Sequence, residues 1–258
     1  MKIHHLRNAT FIIESNERFI LVDPFFGKKA SAAPLSFFRF KARRNPLVAL
    51  PENAAVLLDK VTHCLITHLH PDHLDAEGIQ FLKERQIPVV CSAVDEKKLQ
   101  KKGVNIDRAL RYNEQADYLG GEIRGIKAIH GYGFVKAIAG SVMGFHLELS
   151  GDCSIYISSD TVYTSDVDRI LREYKPDVTV LAAGMAQLDI GNLLLMNEED
   201  IIRFVTHSPG KVYANHMEAL NHCPHTRDQL RVLLTSKGLL DKVVIPADGE
   251  MDEYLPGT

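Results

Sequence analysis

Short runs of β-branched and aromatic residues, separated by a polar pair, open the hydrophobic pattern of the chain. ATFIIES and RFILVDPFF are two such runs, and Asn16–Glu17 between them predicts a β-hairpin. The segment 27–51 then interrupts the pattern, because it is rich in Lys, Arg, Ala and Pro and has phenylalanines among its basic residues. We expect β-structure before this segment and a break in regular structure within it.

Strand-like and helix-like patterns alternate after residue 60. THCLITH and PVVCSA are typical of buried strands, whereas AEGIQFLKERQ and VDEKKLQKKG are typical of helices, the second ending at Gly103. EIRGIKAIH and GSVMGFHLELS are again strand-like. The last third predicts four strands, SIYISSD, DVTVLAAG, KVYANH and KVVIPAD, and three helices, SDVDRILREYKP, NEEDIIRFVTHS and TRDQLRVLLTSKG. This alternation predicts an α/β fold.

The ends of the last three helices and the length of the chain complete the prediction of the fold. Asp166, Asn197 and Thr226 are the expected N-caps or near-caps, because their side chains can accept hydrogen bonds from exposed helix N–H groups. The 258 residues contain no sequence repeat, low-complexity tract or long linker. We predict a single domain over residues 1–258.

Composition excludes several function classes. The formal net charge of −3 and the pI near 6.5 give no reason to expect a nucleic-acid partner. The first fifteen residues lack a secretory pattern, and no apolar stretch approaches bilayer-spanning length. Cys64, Cys91, Cys153 and Cys223 are far apart, which predicts buried thiols rather than a disulfide framework. We expect a cytoplasmic protein with a small-molecule substrate.

The loop THLHPDHLD concentrates side chains that bind metals. His68, His70 and Asp72 stand two residues apart, so an extended turn can direct all three to one side, and His73 adds a fourth group from the start of the next helix. The apolar run CLIT places this loop at the carboxyl end of a buried strand, where open α/β sheets bind ligands. A loop of solvated histidines is the alternative, but three imidazoles and one carboxylate favour a divalent cation.

Three further candidate ligands each follow a strand-like run. His130 ends EIRGIKAIH, Asp160 ends SIYISSD and His216 ends KVYANH. Because strand ends can meet at one edge of a sheet, these side chains can converge on the histidine loop. The pattern therefore predicts one metal centre built from residues far apart in the chain.

The order of these motifs resembles that of the metallo-β-lactamase superfamily. The resemblance rests on Asp23 in LVDP, the THLHPDH loop, His130 in AIHG, Asp160 in SSDT and His216 in YANH, which together span nearly the whole chain. It implies a four-layer αβ/βα sandwich, in which two sheets pack face to face with helices outside. Ser159 departs from the glycine that the superfamily usually has before this aspartate.

The resemblance also implies a dinuclear metal site and a hydrolase. Its two ligand sets, bridged by Asp160, are His68, His70 and His130 for one ion and Asp72, His73 and His216 for the other. Zinc is the expected metal, while manganese, iron and nickel also suit histidine and carboxylate ligands. Two such ions about 3.5–4 Å apart turn a shared water into hydroxide near neutral pH.

The resemblance implies roles for residues around the ligands. Asp23 would orient a metal-binding imidazole, Asp72 would orient the attacking water, and His222 or Glu218 would handle the proton of the leaving group. The residues alone leave alternatives open: Asp23 could cap a turn, Asp160 could cap the following helix, and His222 could replace His216 as ligand.

The basic segment is the expected source of substrate specificity. Following Asp23, residues 28–50 should overhang the metals as a lid, with Arg39, Arg43 and Arg44 meeting a phosphate or carboxylate. The segment could instead be a solvated loop whose phenylalanines pack on the sandwich, or it could attach to anionic lipid.

The opening motif and the length are loosely similar to the branch with L-ascorbate-6-phosphate lactonase and N-acyl phosphatidylethanolamine phospholipase D. This similarity favours a phosphodiester or a lactone as substrate, and an amide is a third possibility. Two other functions stay open. One is a mononuclear iron oxidoreductase of the same fold, and the other is a metal-binding protein without catalysis. The complete ligand set argues against both.

Overall fold

Two seven-stranded mixed β-sheets form the centre of the fold in the computed structural model, which describes residues 1–256. The strands of the first sheet are β1 (Lys2–Arg7), β2 (Thr10–Ser15), β3 (Arg18–Val22), β4 (His63–Leu65), β5 (Val89–Ser92), β6 (Ile106–Leu110) and, from the end of the chain, β14 (Met251–Glu253). Their order is β14-β1-β2-β3-β4-β5-β6. The predicted hairpin is confirmed, since β2 and β3 pair antiparallel, and β3 to β6 are parallel.

The second sheet follows in the chain and has the order β13-β12-β11-β10-β9-β8-β7. Its strands are β7 (Gln115–Tyr118), β8 (Gly121–Ala128), β9 (Val142–Glu148), β10 (Ser154–Ile157), β11 (Val178–Ala182), β12 (Lys211–Asn215) and β13 (Val243–Val244). β7 to β10 are antiparallel neighbours, and β10 to β13 are parallel. Of the predicted strand KVVIPAD, only two residues are strand.

The helices lie on the outer faces of the two sheets. They are α1 (Ala54–Leu58), α2 (Ala76–Glu84), α3 (Glu96–Lys101), α4 (Ser165–Arg169), α5 (Glu198–His207) and α6 (Arg227–Ser236). A π-helical stretch, Ile170–Tyr174, extends α4. None of the helices within residues 1–256 is long and apolar enough to cross a bilayer.

Alternation along the strands explains how both faces of each sheet are buried. In β2, Phe11 and Ile13 join the core between the sheets, whereas Ile12 points to the opposite face and packs with Leu82 of α2. In the second sheet, Leu181 likewise joins the outer core that includes Phe204 of α5. The result is the four-layer sandwich predicted from the sequence, with a core between the sheets and one beneath each helix layer.

Two local predictions about helix ends were wrong. The N-cap of α4 is Thr164, whose side chain accepts from the N–H of Val167, while Asp166 lies inside the first turn and pairs with Arg169 at 2.9 Å. His73 does not begin a helix; it lies in a turn, and α2 starts after its cap Asp75. The other two predicted caps, on α5 and α6, are confirmed.

The predicted state of the cysteines is confirmed. Cys64, Cys91, Cys153 and Cys223 are buried free thiols. Three of them pack in the cores of the sandwich, and Cys223 lies beside the candidate site described next.

Candidate metal centre

The candidate ligands converge at one edge of the sandwich, as their positions after strands predict. The loop 67–73 follows β4, and His130, Asp160 and His216 follow β8, β10 and β12. The two sheets meet here through a hydrogen bond from the N–H of Met143 to the carbonyl of Thr67. Three overlapping groups have ligand atoms within 4.8 Å of one another: His68, His70 and His130; His68, His73 and Asp160; Asp72, His73 and His216.

Hydrogen bonds at Nδ1 fix the orientation of three of the imidazoles. His73 Nδ1 lies 2.8 Å from Asp23 Oδ2, and His130 Nδ1 lies 2.9 Å from the carbonyl of Leu194. Both partners are acceptors, so each ring donates a proton from Nδ1, and its Nε2 is the nitrogen that can coordinate a metal. His68 Nδ1 lies 3.0 Å from Thr67 Oγ1. Because Thr67 Oγ1 donates to Asp23, it accepts from His68.

The Nε2 atoms of these rings face carboxylate oxygens and other imidazoles. His130 Nε2 lies 3.6 Å from Asp160 Oδ2, and His73 Nε2 lies 3.3 Å from Asp160 Oδ1. His73 Nε2 is also 3.0 Å from His216 Nε2, which is 3.5 Å from Asp72 Oδ2. Lone pairs and carboxylate oxygens this close repel one another unless a proton or a cation lies among them.

An unpartnered buried atom tests whether these residues fit a metal. His68 Nε2 is buried and has no hydrogen-bond partner among residues 1–256. A buried acceptor without a partner is costly to the fold, and coordination of a cation removes that cost. Histidine nitrogens and carboxylate oxygens are the ligands that divalent transition metals accept. The residues therefore fit the metal ions implied by the family resemblance.

The electrostatics of the site favour added positive charge. Burial opposes ionisation of Asp160, but the imidazoles of His216 and His73 hold the pKa of its carboxyl well below the usual value. Burial likewise opposes charge on His73, yet Asp160 and Asp23 raise its pKa to about 10. At His68 burial dominates, with His73 adding to it, and lowers the pKa well below the usual value. Carboxylates held ionised beside a neutral imidazole are suited to a cation.

Unusual backbone conformations position several of these residues. Asp23, Ser159 and His216 have positive φ angles of 47°, 57° and 62°, a region that disfavours side chains with a Cβ. Such strain is common at functional sites. The loop of His216 also approaches Gly184 so closely that a Cβ there would lie 1.9 Å from the carbonyl oxygen of His216. Only glycine fits at that contact.

Asn8 supports the site, although its sequence context predicts only a turn. The side-chain amide of Asn8 donates to the backbone carbonyl of Asp72 at 3.1 Å. The backbone carbonyl of Asn8 accepts the N–H of His216 at 3.0 Å. Asn8 thus links the backbone of two candidate ligands. Its place in the turn between β1 and β2, with φ 56°, is typical of asparagine, but that signal indicates a turn and not a site.

The C-terminal motif separates into two environments. His216 belongs to a ligand group, whereas His222 belongs to none of those found among residues 1–256. His222 is buried nearby, with Nδ1 3.9 Å from Cys223 Sγ, and the same thiol lies 3.6 Å from His216 Nδ1. Burial opposes ionisation of the Cys223 thiol, but His222 and His216 lower its pKa to about 7. Glu218 turns away to an ion pair with Arg227.

The basic segment is tied to the loops beside the site. The N–H of Leu47 donates to the carbonyl of Ala219, and the N–H of Asn221 donates to Asn45 Oδ1. The carboxylate of Asp189 accepts from the backbone N–H groups of residues 37–39 and from Ser36 Oγ. These contacts place the segment next to the loop that carries His222.

Two of the three arginines in this segment already have partners. Arg39 donates to the carbonyls of Leu188 and Asp189, and Arg44 donates to those of Ala30 and Ser31. Arg43 instead lines a cavity of about 310 Å³ whose other walls include Leu220 and Cys223. Only Arg43 keeps its guanidinium available at a concave surface in this part of the described chain.

Comparison with protein families gives a match over most of the chain. Residues 18–217 match a β-lactamase superfamily domain. The protein YddR of Bacillus subtilis is 29% identical over 253 residues, which are 97% of this chain and 98% of YddR. A metal-dependent hydrolase of Flavobacterium johnsoniae is 28% identical over 203 residues, which are 78% of this chain and 77% of the relative.

One solved structure combines close similarity with a named activity. It is the isothiocyanate hydrolase from Delia radicum gut bacteria, with a TM-score of 0.88 and 28% sequence identity. The alignment covers 99% of this chain and 100% of that one. The likeness therefore includes both sheets and the edge at which the candidate ligands meet.

Proposed function

We propose, for a chain that belongs to the β-lactamase superfamily and is a metal-dependent hydrolase, that a pair of divalent ions is used in catalysis. Zinc is the expected metal. The substrate is a small uncharged molecule, and water attacks it at an electrophilic carbon. The position of Asp160 is the observation that supports a site with two metal ions. Its two carboxylate oxygens face different imidazoles, with His73 on one and His130 and His216 on the other. A carboxylate so placed can be shared by two ions.

The remaining ligands divide into two sets around Asp160. One ion would be held by His68, His70 and His130, and the other by Asp72, His73 and His216. When bound, two such ions supply Lewis acidity and hydroxide near neutral pH. Asp23 and the carbonyl of Leu194 hold the rings of His73 and His130 with Nε2 directed inward.

Two side chains are assigned to the substrate and its protons. The carboxylate of Asp72 orients the attacking water, because it is held ionised in the group with His73 and His216. His222 delivers a proton to the leaving group, since it is buried close to the same loop and lies outside the ligand groups. Glu218 is the weaker choice, because its carboxylate is already paired with Arg227.

The substrate class follows from the relative and from the arginines. An isothiocyanate has an uncharged carbon that water can attack, and its hydrolysis gives a primary amine and carbonyl sulfide. Arg39 and Arg44 each donate two N–H groups to backbone carbonyls, which leaves fewer N–H groups for bidentate binding of a phosphate or carboxylate on the substrate. We therefore propose an isothiocyanate as the favoured substrate. A lactone, which is also uncharged and has an electrophilic carbon, is the next choice.

A phosphodiester is the second candidate function, and Arg43 is the observation that favours it. Arg43 lines a cavity beside Cys223, and its guanidinium makes no hydrogen bond or ion pair within residues 1–256. Residues 28–50 would then act as a lid whose Arg43 binds the phosphate.

Hydrolysis by one metal-loaded preparation tests these proposals. Amine release from an aralkyl isothiocyanate, ring opening of a lactone and cleavage of a phosphodiester are followed with and without chelator. We expect chelator-sensitive hydrolysis of the isothiocyanate, a loss of metal from two ions to one or none in Asp160→Ala, and loss of activity in that variant. Full activity and two bound ions in Asp160→Ala would remove the bridging role. Hydrolysis of the phosphodiester alone would transfer the proposal to the second candidate.

A further inference from the structure

Large apolar side chains are exposed on three loops at the edge of the sandwich that holds the metal centre. Phe38, Ile190 and Ile138 are 92%, 81% and 74% exposed. We call the group the apolar rim, and its members are Phe37, Phe38, Phe134, Ile138, Leu188 and Ile190. Single exposed apolar residues are normal, but a contiguous group indicates a binding surface.

The three loops of the apolar rim touch one another. Asp189 Oδ2 accepts the N–H of Phe37 at 2.8 Å, and Asp189 Oδ1 accepts the N–H of Phe38 at 3.0 Å. On the other side, a Cβ at Gly191 would lie 2.6 Å from Val135 and 3.4 Å from the ring of Phe134. The loop 188–191 therefore joins the other two, and the rim is one surface.

The rim stands beside the metal centre. His130 directly precedes the loop that carries Phe134 and Ile138. Its Nδ1 donates to the carbonyl of Leu194, which ends the loop that carries Ile190. A partner that covers the rim would thus lie against the same edge of the sandwich.

Basic side chains surround the rim. Residues 28–44 contain six basic residues and no acidic one, although the whole chain has a net charge of −3. All six are exposed, as is Lys136 between Phe134 and Ile138. Asp189, the carboxylate beside the rim, is occupied by backbone N–H groups. The surface combines exposed aromatic and aliphatic side chains with excess positive charge.

We propose that the apolar rim and the surrounding basic side chains dock this protein onto an anionic lipid surface. Aromatic and aliphatic side chains enter the headgroup region, and Lys and Arg bind anionic headgroups, which is the combination required for reversible peripheral binding. A second copy of the chain fits less well, because a symmetric dimer through this surface would bring two basic segments together. The proposal does not depend on the identity of the substrate.

Vesicle sedimentation tests the docking surface. Metal-loaded protein is mixed with vesicles of phosphatidylcholine alone or of phosphatidylcholine with roughly one third phosphatidylglycerol. The anionic lipid gives the second kind of vesicle a negative surface potential. We expect binding to the anionic vesicles only, weakened by salt. Phe38→Ser combined with Ile190→Ser, and separately Lys41→Glu combined with Lys136→Glu, should each lower the partition coefficient by about tenfold or more.

Matched variants elsewhere on the surface provide the control. Val232→Ser with Met251→Ser removes exposed apolar side chains outside the rim, and Lys101→Glu with Lys237→Glu reverses exposed charges there. These control variants should bind vesicles like the wild type, and all variants should retain the wild-type circular dichroism. Absence of wild-type binding, or equal losses in rim and control variants, would overturn the proposal. A dimer in sedimentation velocity that the rim variants dissociate, without vesicle binding, would assign the surface to a second copy.

Discussion

Asp23 and His73 form a buried pair in which the carboxylate Oδ2 lies 2.8 Å from the imidazole Nδ1. The same carboxylate accepts from the N–H and the hydroxyl of Thr67, at 2.8 and 2.7 Å. One aspartate after β3 thereby fixes both the start of the histidine loop and the ring of a candidate ligand 50 residues further along the chain. The end of β3 and the histidine loop are therefore held together as one unit.

Replacement of Asp23 by asparagine should weaken metal binding without removing a ligand. Asparagine keeps the shape but offers His73 a neutral acceptor, so the preference for a lone pair at Nε2 falls. We expect metal affinity to drop by about 10- to 100-fold. Competition with a chromophoric chelator measures it. Asp177→Asn is the matched control, because Asp177 accepts from Ser154 away from the site and its loss should leave the affinity unchanged.

Alanine variants of His216 and His222 should differ in metal content. His216→Ala removes a nitrogen that lies within the group of Asp72 and His73, so bound metal should fall by about one ion per chain. His222→Ala should keep both ions and lower kcat by about 10²- to 10⁴-fold, the usual range for a lost general acid. Elemental analysis and steady-state kinetics separate the two results. The opposite outcome, with metal lost only in His222→Ala, would exchange their roles.

The convergence of the candidate ligands at strand ends could be predicted because a local pattern places them. His130, Asp160 and His216 each follow an apolar run, and parallel or neighbouring strands bring their ends to one edge of a sheet. The fold class could be predicted for the same reason, since strand and helix patterns alternate clearly. Asp166 was wrongly predicted as a cap because a threonine two residues earlier offered the same chemistry.

Asn8 and Asp189 could not be predicted because their contacts are not local. Asn8 binds the carbonyl of Asp72 through its side chain and the N–H of His216 through its backbone, and Asp189 binds residues about 150 positions away. Neither residue stands out in the local pattern of the sequence. The hydrogen bonds from Arg39 to the carbonyls of Leu188 and Asp189 could not be predicted for the same reason, and they leave fewer of its N–H groups for a charged substrate.

His146 should make the protein less stable in acid. Burial, aided by the guanidinium of Arg124, lowers the pKa of His146 to about 4 from an ordinary 6.5. Between pH 4 and pH 6.5, His146 is therefore protonated in the unfolded chain but not in the folded chain. The free energy of unfolding consequently falls as the pH drops below about 6.5. The fall attributable to His146 should reach roughly 2 kcal/mol at pH 5, at 1.4 kcal/mol per pH unit.

Urea unfolding at pH 7.5 and pH 5 isolates this contribution. The stability of His146→Gln is compared with that of the wild type at both values, so that other titrating groups cancel. The variant should lose less free energy of unfolding on acidification than the wild type does. An equal loss in both proteins would show that His146 does not take up the proton.

Glycine at position 159 should stabilise the fold. Ser159 has φ 57°, where a Cβ is strained by roughly 1–2 kcal/mol, and its hydroxyl is buried without a hydrogen-bond partner among residues 1–256. Ser159→Gly removes both defects at the expense of more freedom in the unfolded chain, and we expect a net gain of about 1 kcal/mol. This strain gives a physical reason for glycine rather than serine at the position before Asp160.

Ser158→Gly is the control for this prediction. Ser158 is buried next to Ser159, has no positive φ, and donates its hydroxyl to the carbonyl of Ser159 at 3.1 Å. Its replacement should lower the free energy of unfolding by about 1 kcal/mol, since glycine relieves nothing there and a hydrogen bond is lost. Urea unfolding of both variants gives the comparison. If Ser159→Gly were also less stable, then the buried hydroxyl of Ser159 would contribute more to the fold than its backbone strain costs.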